Sequence, residues 1–155
     1  MENQHASSVS YETFVIERVL NAPVEKVFAA FSNLEEKSKW FAGPAEWQTL
    51  QRDLDFKVCG AEHLKNKMPN GMTTTFSALY QDIVPNNRIV YTYDMHIDDK
   101  KISISLATMT FITEGLGTKL TLTEQGAFLD GYDKAENRKL GTEGLINQLA
   151  ALFEK

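Results

Sequence analysis

TTTFSALYQDIVPNNRIVYTYDMHI, residues 73–97, reads as two strands and the turn between them. Phe76, Ala78 and Tyr80 fall on one face of the first strand, Thr73 to Val84, with Ser77 opposite. Tyr91, Tyr93, Met95 and Ile97 share a face of the second, Ile89 to Ile97, with Thr92 opposite. Pro85-Asn86-Asn87 supplies the residue types of a tight reversal. So short a connection makes the strands antiparallel neighbours and puts both apolar faces on the same side of one sheet.

Outward from this hairpin the same punctuation recurs at Asp53 to Asp55, Pro69-Asn70-Gly71, Asp98-Asp99 and Gly115-Leu116-Gly117. The segments between are Glu46 to Arg52, Lys57 to Lys67, Ile102 to Glu114 and Thr118 to Phe128, and Glu12 to Leu20 is a further strand near the start. In Ile102 to Glu114 the apolar set changes phase, from Ile102, Ile104 and Leu106 to Met109 and Phe111, which predicts a bulge near Ala107 in preference to the alternative, burial of both faces.

Helical spacing appears three times. Pro23 opens a short helix carrying Val24, Val27, Phe28 and Phe31. Asn33 caps a second, Leu34 to Trp40, which Gly43-Pro44 ends. From about Asp130 to Phe153 a long helix sets Leu140, Gly144, Leu145, Leu149 and Leu152 on one stripe, with Asp130 or Asp133 as its cap. The fold class is α+β: a seven-stranded curved antiparallel sheet around a long C-terminal helix, two short helices between strands 1 and 2. Residues 1–10 read as a loose tail and 11–155 as a single domain.

Width decides what lies between sheet and helix. Seven strands at ~4.8 Å span ~30 Å, whereas a helix with its side chains is ~10–12 Å across. The sheet must curl around the helix, and the space left over is filled by large side chains or by a guest. Phe76, Tyr80, Tyr91, Tyr93, Met109 and Phe111 face that space from the sheet, Leu145 and Leu149 from the long helix, and Trp40-Phe41 stands at its mouth as lid or plug. Each ring alone reads as core; together, with tyrosine hydroxyls that need partners, they predict a pocket.

The 155-residue chain has a formal charge of -5, so no net positive field draws in nucleic acid. No stretch reaches the length of a membrane span. The single cysteine excludes an intrachain disulfide, and no leader pattern precedes the domain, so a cytoplasmic address is expected. His63, His96, Cys59, Glu46, Asp94 and Glu124 are the titratable groups able to face an interior. Cys59 and His63, four apart in a presumed strand, share a face; as nucleophile and base, or as metal ligands, two residues are too few. No phosphate loop or nucleophile elbow occurs. No catalytic residue, metal or cofactor is therefore expected.

Several segments, in order, also carry a family pattern. Phe14-Val15-Ile16-Glu17-Arg18, Asn21-Ala22-Pro23-Val24-Glu25-Lys26-Val27-Phe28-Ala29-Ala30-Phe31 and Trp40-Phe41-Ala42-Gly43-Pro44 resemble the opening of the SRPBCC-superfamily branch named after the activator of the heat-shock protein 90 ATPase. Asp55-Phe56-Lys57-Val58-Cys59-Gly60 resembles its Asp-x-(Arg/Lys)-Val-Gly-Gly segment, with Cys59 in place of the first glycine. Tyr80 to Tyr91 resembles its strand-turn-strand and Gly117 to Thr123 its penultimate element. Leu145 stands where many members carry tryptophan after Gly144. The resemblance implies the helix-grip, START-like or birch-allergen-like fold, with strand 1 between the second and last strands. It does not imply one activity, since relatives include lipid carriers, polyketide cyclases and cochaperone domains.

The expectation is thus a non-enzymatic protein that binds a small apolar or amphipathic molecule through Trp40, Phe41, His63, Phe76, Tyr80, Tyr91, Tyr93, Met109, Phe111, Leu145 and Leu149. The alternatives are a polyketide cyclase-like or hydrolase-like enzyme, and a chaperone-regulating or homodimeric interaction module.

Overall fold

A computed structural model describes residues 7–154. Strands β1 (Val9–Leu20), β2 (Gln48–Leu54), β3 (Ala61–Lys67), β4 (Thr73–Val84), β5 (Arg88–Ile97), β6 (Lys100–Glu114) and β7 (Gly117–Leu129) form one antiparallel sheet. Helices α1 (Val24–Ser32) and α2 (Leu34–Lys37) lie between β1 and β2, and α3 (Ala135–Leu152) ends the chain.

The short helices start where the sequence places them, although α2 ends at Lys37 and not at Trp40 as expected. Pro23 has no N–H to leave unsatisfied, and its carbonyl accepts from the amides of Lys26 and Val27. The amphipathic spacing of α1 then buries Val27, Phe28, Ala30 and Phe31. The Asn33 side chain accepts from the Glu36 amide at 3.1 Å, the expected cap of α2.

Strand order is β1-β7-β6-β5-β4-β3-β2. This corrects the expectation that β1 lies between the second and last strands: β1 pairs with β7 alone, Val9 opposite Leu129 through Leu20 opposite Thr118, and the sheet stays open between β1 and β2. Alternation along each strand gives an inner face carrying the core. One row across it runs Tyr80, Tyr91, Ala107, Glu124, Phe14.

The bulge expected near Ala107 is absent. Pairing is continuous from Arg88–Thr110 to Met95–Ser103, and the irregularity falls between Met95 and His96, at the β5–β6 turn. Ser103, Ser105, Ala107, Met109 and Phe111 all face inward, so the sheet buries two serines while Ile104 lies exposed. Buried hydroxyls need partners, and the partners explain the inversion (below).

Other boundaries also move. Lys57 to Gly60 is not strand: Asp55 to Gly60 is a tight turn in which Cys59 has φ 70° and donates its amide to the Tyr80 carbonyl. Residues 1–6 of the segment read as a tail lie outside the described residues, whereas Val9 and Ser10 are already in β1. Helix α3 starts at Ala135 without a side-chain cap from Asp130 or Asp133. Its buried residues are Ile146, Leu149 and Ala150, while Leu140, assigned to the buried stripe, is 66% exposed. The helix lies against β1, where Arg18 donates to Asn147 at 2.6 Å. No helix among the described residues is long and apolar enough to cross a membrane.

Candidate functional site

Because α3 leans toward β1, the inner face over β3 to β6 is covered by the segment Trp40–Trp47 and the first half of α3, and a cavity of about 410 Å³ remains between them. Its floor is Phe76 of β4, Tyr91, Tyr93 and Met95 of β5, Ala107 and Met109 of β6, and Leu122 and Glu124 of β7. Trp40, Phe41 and Trp47 close one side; Arg138, Thr142 and Leu145 of α3 close the other.

The rings hold one another edge-on, the arrangement their quadrupoles favour. Centroids are 4.9 Å apart for Phe31 and Trp40, 5.0 Å for Phe41 and Phe76, and 5.5 Å for Tyr80 and Tyr91. Trp40 is fixed further by its indole N–H, which donates to the Ala30 carbonyl at 2.8 Å. It is therefore a plug that seats α2 on α1, and only part of it reaches the cavity.

Two polar networks are set into this apolar shell. In the first, Glu62 Oε1 accepts from Lys37 Nζ at 2.7 Å and from the Tyr80 hydroxyl at 2.6 Å. Lys37 Nζ also lies 4.6 Å from the Phe41 ring centroid, a cation–π contact. Burial lowers the pKa of Lys37 against the pull of Glu62, and burial together with Glu62 raises that of Tyr80. Arg52 stands behind this pair, its Nη1 buried without a partner.

In the second, Glu124 Oε2 accepts from the Tyr93 hydroxyl at 2.7 Å and from Ser105 at 2.8 Å. Arg138 reaches in from α3: Nη1 donates to the Tyr93 oxygen at 2.9 Å and to Glu124 at 3.4 Å, and Nη2 to Ser103 at 2.8 Å and to Asp133 at 3.1 Å. Burial opposes its charge, but Tyr93, Glu124 and Asp133 more than restore it, so the pKa of Arg138 is raised. Burial first, then Glu124, pushes Tyr93 up as well. The inward serines of β6 thus serve a guanidinium and a carboxylate that arrive from other elements.

Of the eleven residues expected at the site, Trp40, Phe41, Phe76, Tyr91, Tyr93, Met109 and Leu145 line the cavity. Tyr80, Phe111 and Leu149 are buried in the core behind its wall. His63 is a correction: it faces the other side of β3, with Nδ1 2.7 Å from Asp53 Oδ1. Cys59, exposed in its turn, does not share a face with it, and among the described residues no group of three or more metal-ligating side chains occurs. His96 and Asp94 are half-exposed, Asp94 pairing with Lys101 at 3.1 Å.

Sequence reasoning named Glu124 but missed Lys37, Glu62 and Arg138. A signal was present for one of them. Glu62 alternates in phase with Leu64 and so had to face the core once Leu64 did.

A family model described as Activator of Hsp90 ATPase homolog 1-like protein matches residues 21–154. No curated protein matches the chain. Among solved structures, a protein from Rhizobium leguminosarum is 42% identical with a TM-score of 0.91, covering 96% of this chain and 97% of that one. Mll3558 from Rhizobium loti is 40% identical with a TM-score of 0.86, over 93% of this chain and 98% of its own. DynU16, of the dynemicin biosynthetic locus, shares the fold at 15% identity and a TM-score of 0.64, over 90% of this chain and 46% of that one. A helix-grip sheet, its C-terminal helix and a match across nearly the whole chain agree: the chain belongs to the Activator of Hsp90 ATPase homolog 1-like family, within the SRPBCC superfamily.

Proposed function

We propose that this protein binds a small, largely apolar molecule in the cavity between α3 and the sheet and does not transform it. The observation that carries the reading is a space of about 410 Å³ walled mainly by aromatic and aliphatic side chains, within the size range of small-molecule sites. Its acidic and basic groups are occupied with one another. Glu124 Oε2 is held by Tyr93, Ser105 and Arg138, which fixes the carboxylate against the wall.

Native mass spectrometry of protein purified from its own host, with solvent extraction of what it carries, is expected to reveal a bound organic molecule at one per chain. Substituting Ala107→Phe, on the cavity floor, is expected to displace it while the fold persists. Recovery of protein with no guest, and no difference between wild type and this variant toward any apolar compound library, would remove the reading.

A cyclase-like activity is the second reading, favoured by Tyr91, Tyr93 and Glu124 standing in the wall of an apolar space. It requires that a poly-β-ketone analogue incubated with the protein give a cyclised, dehydrated product faster than in buffer. An unchanged rate would set it aside.

A further inference from the structure

The charges around the cavity cancel. Lys37 is paired with Glu62, and Arg138 with Glu124 and Asp133; Arg52, behind the wall, makes three cations against three carboxylates. Each cation in the wall is also occupied. The terminal nitrogens of Arg138 make four hydrogen bonds, to Tyr93, Glu124, Ser103 and Asp133. Lys37 is held between a carboxylate and an aromatic ring. Among the described residues Glu124 Oε1 has no partner and could accept from a guest amine, whereas a guest carboxylate would bring a further negative charge beside Glu124 and Asp133 in an apolar space, which is costly.

The neutral polar groups are different. Among the buried polar side chains of the wall, all but two have a protein partner. Asn66 is 6% exposed and Tyr91 8%, both line the cavity, and neither side chain makes a hydrogen bond to a described residue. Among the described residues the one buried side-chain atom without a partner is Arg52 Nη1; the Tyr91 hydroxyl and the Asn66 carboxamide keep some exposure, and both residues line the cavity. They stand apart, Tyr91 beside Tyr80 at the middle of the sheet and Asn66 beside Thr74 near the β3–β4 turn. Burial keeps Tyr91 protonated, and therefore a donor. Polar groups so placed gain most from a guest oxygen, because an unmatched donor in an apolar wall is costly.

We propose that the cavity selects an uncharged guest bearing a hydrogen-bonding oxygen, which meets the Tyr91 hydroxyl or the Asn66 carboxamide, and that it excludes carboxylates. This deepens the ligand-binding reading and rests on it. Three probes of one shape separate the contributions in calorimetric titrations of the full chain: 2-acetylnaphthalene, 2-ethylnaphthalene and 2-naphthoate. The ketone is expected to bind best, and the carboxylate at least tenfold more weakly. Tyr91→Phe, or Asn66→Leu, is expected to weaken the ketone by about 2–10-fold, the worth of one neutral hydrogen bond, and to leave the hydrocarbon within about twofold. Naphthoate binding as well as the ketone would overturn the charge selection. A ketone-to-hydrocarbon ratio unchanged in both variants would overturn the hydrogen-bond assignment, with ligand binding still standing. Failure of all three probes to bind wild type, with no guest in the native mass spectrum, would take ligand binding away together with the selection built on it.

Discussion

Lys37 and Glu62 form a buried ion pair that fastens α2 to β3, Nζ to Oε1 at 2.7 Å, with side chains 2% and 3% exposed. The same carboxylate oxygen holds the Tyr80 hydroxyl. Removing the lysine leaves a buried carboxylate with one donor, so Lys37→Met is expected to cost about 3–5 kcal/mol. Lys37→Met with Glu62→Gln keeps an acceptor for Tyr80 and removes the buried carboxylate, leaving only the part-exposed Arg52 without its nearby anion, and is expected to recover at least half of that loss. Urea unfolding of the three proteins decides it: equal losses in the single and double variants would mean that the charge is not what matters.

Arg138 is the corresponding fastening of α3. Arg138→Leu strands Glu124 and Asp133, with an expected loss of about 3–5 kcal/mol. Arg138→Lys keeps the charge but not the planar fork that reaches four acceptors, and should fall between. Chemical denaturation, with hydrogen exchange along α3, checks the order; protection lost first over residues 135–145 places the effect where the structure puts it.

Burial and the neighbouring carboxylates push Tyr80, Tyr91 and Tyr93 above the ordinary tyrosine value of 10.0. The folded chain therefore keeps protons that the unfolded chain releases, and stability holds below pH 10.0 and falls as the pH climbs past it. Lys37 acts in the opposite sense, since burial lowers it below 10.5 and rising pH relieves a cost in the folded state. Three tyrosines outweigh one lysine. Tyrosinate absorbance at alkaline pH should thus show three of the five tyrosines ionising only as the circular dichroism of the fold is lost. Ionisation of all five with the spectrum intact would contradict the packing described.

Cys59 occupies a left-handed backbone position, φ 70°, where most side chains are strained. Gly60 beside it is constrained differently: a Cβ there would stand 2.0 Å from the Asp55 carbonyl oxygen. Cys59→Gly is expected to stabilise by about 0.5–1 kcal/mol, strain relief exceeding the entropy cost of glycine. Gly60→Ala is expected to destabilise by more than 2 kcal/mol or prevent folding, about the level at which a backbone clash forces the turn open. Thermal melts of both variants test the pair. The thiol, being exposed, should react with a thiol reagent without unfolding.

Most of the sheet was legible in the sequence because alternation and turn residues are local. The hairpin of β4 and β5 and the starts of the two short helices needed nothing from elsewhere in the chain. β6 was misread because Ser103 and Ser105 face inward for the sake of Arg138 and Glu124, 35 and 19 residues away. No periodicity confined to β6 carries that information. The aromatic wall was visible for the same reason the strands were. Lys37, Glu62 and Arg138 were not, since each is buried only because an opposite charge from another element meets it. His63 was misplaced by treating Lys57 to Gly60 as strand, where the left-handed turn at Cys59 breaks any shared face.

The segment from Ala42 to Trp47 walls one side of the cavity without belonging to a helix or strand. The Trp47 amide donates to the Pro44 carbonyl, a main-chain bond that closes within the segment itself, and Gly43 is fitted against the Trp47 ring, where a methyl group would stand 2.7 Å from it. The segment takes no part in a strand ladder. Behind it Trp40 stays bolted to α1. This wall is therefore tied to the rest of the molecule by side-chain packing and by the chain at its two ends, not by sheet pairing.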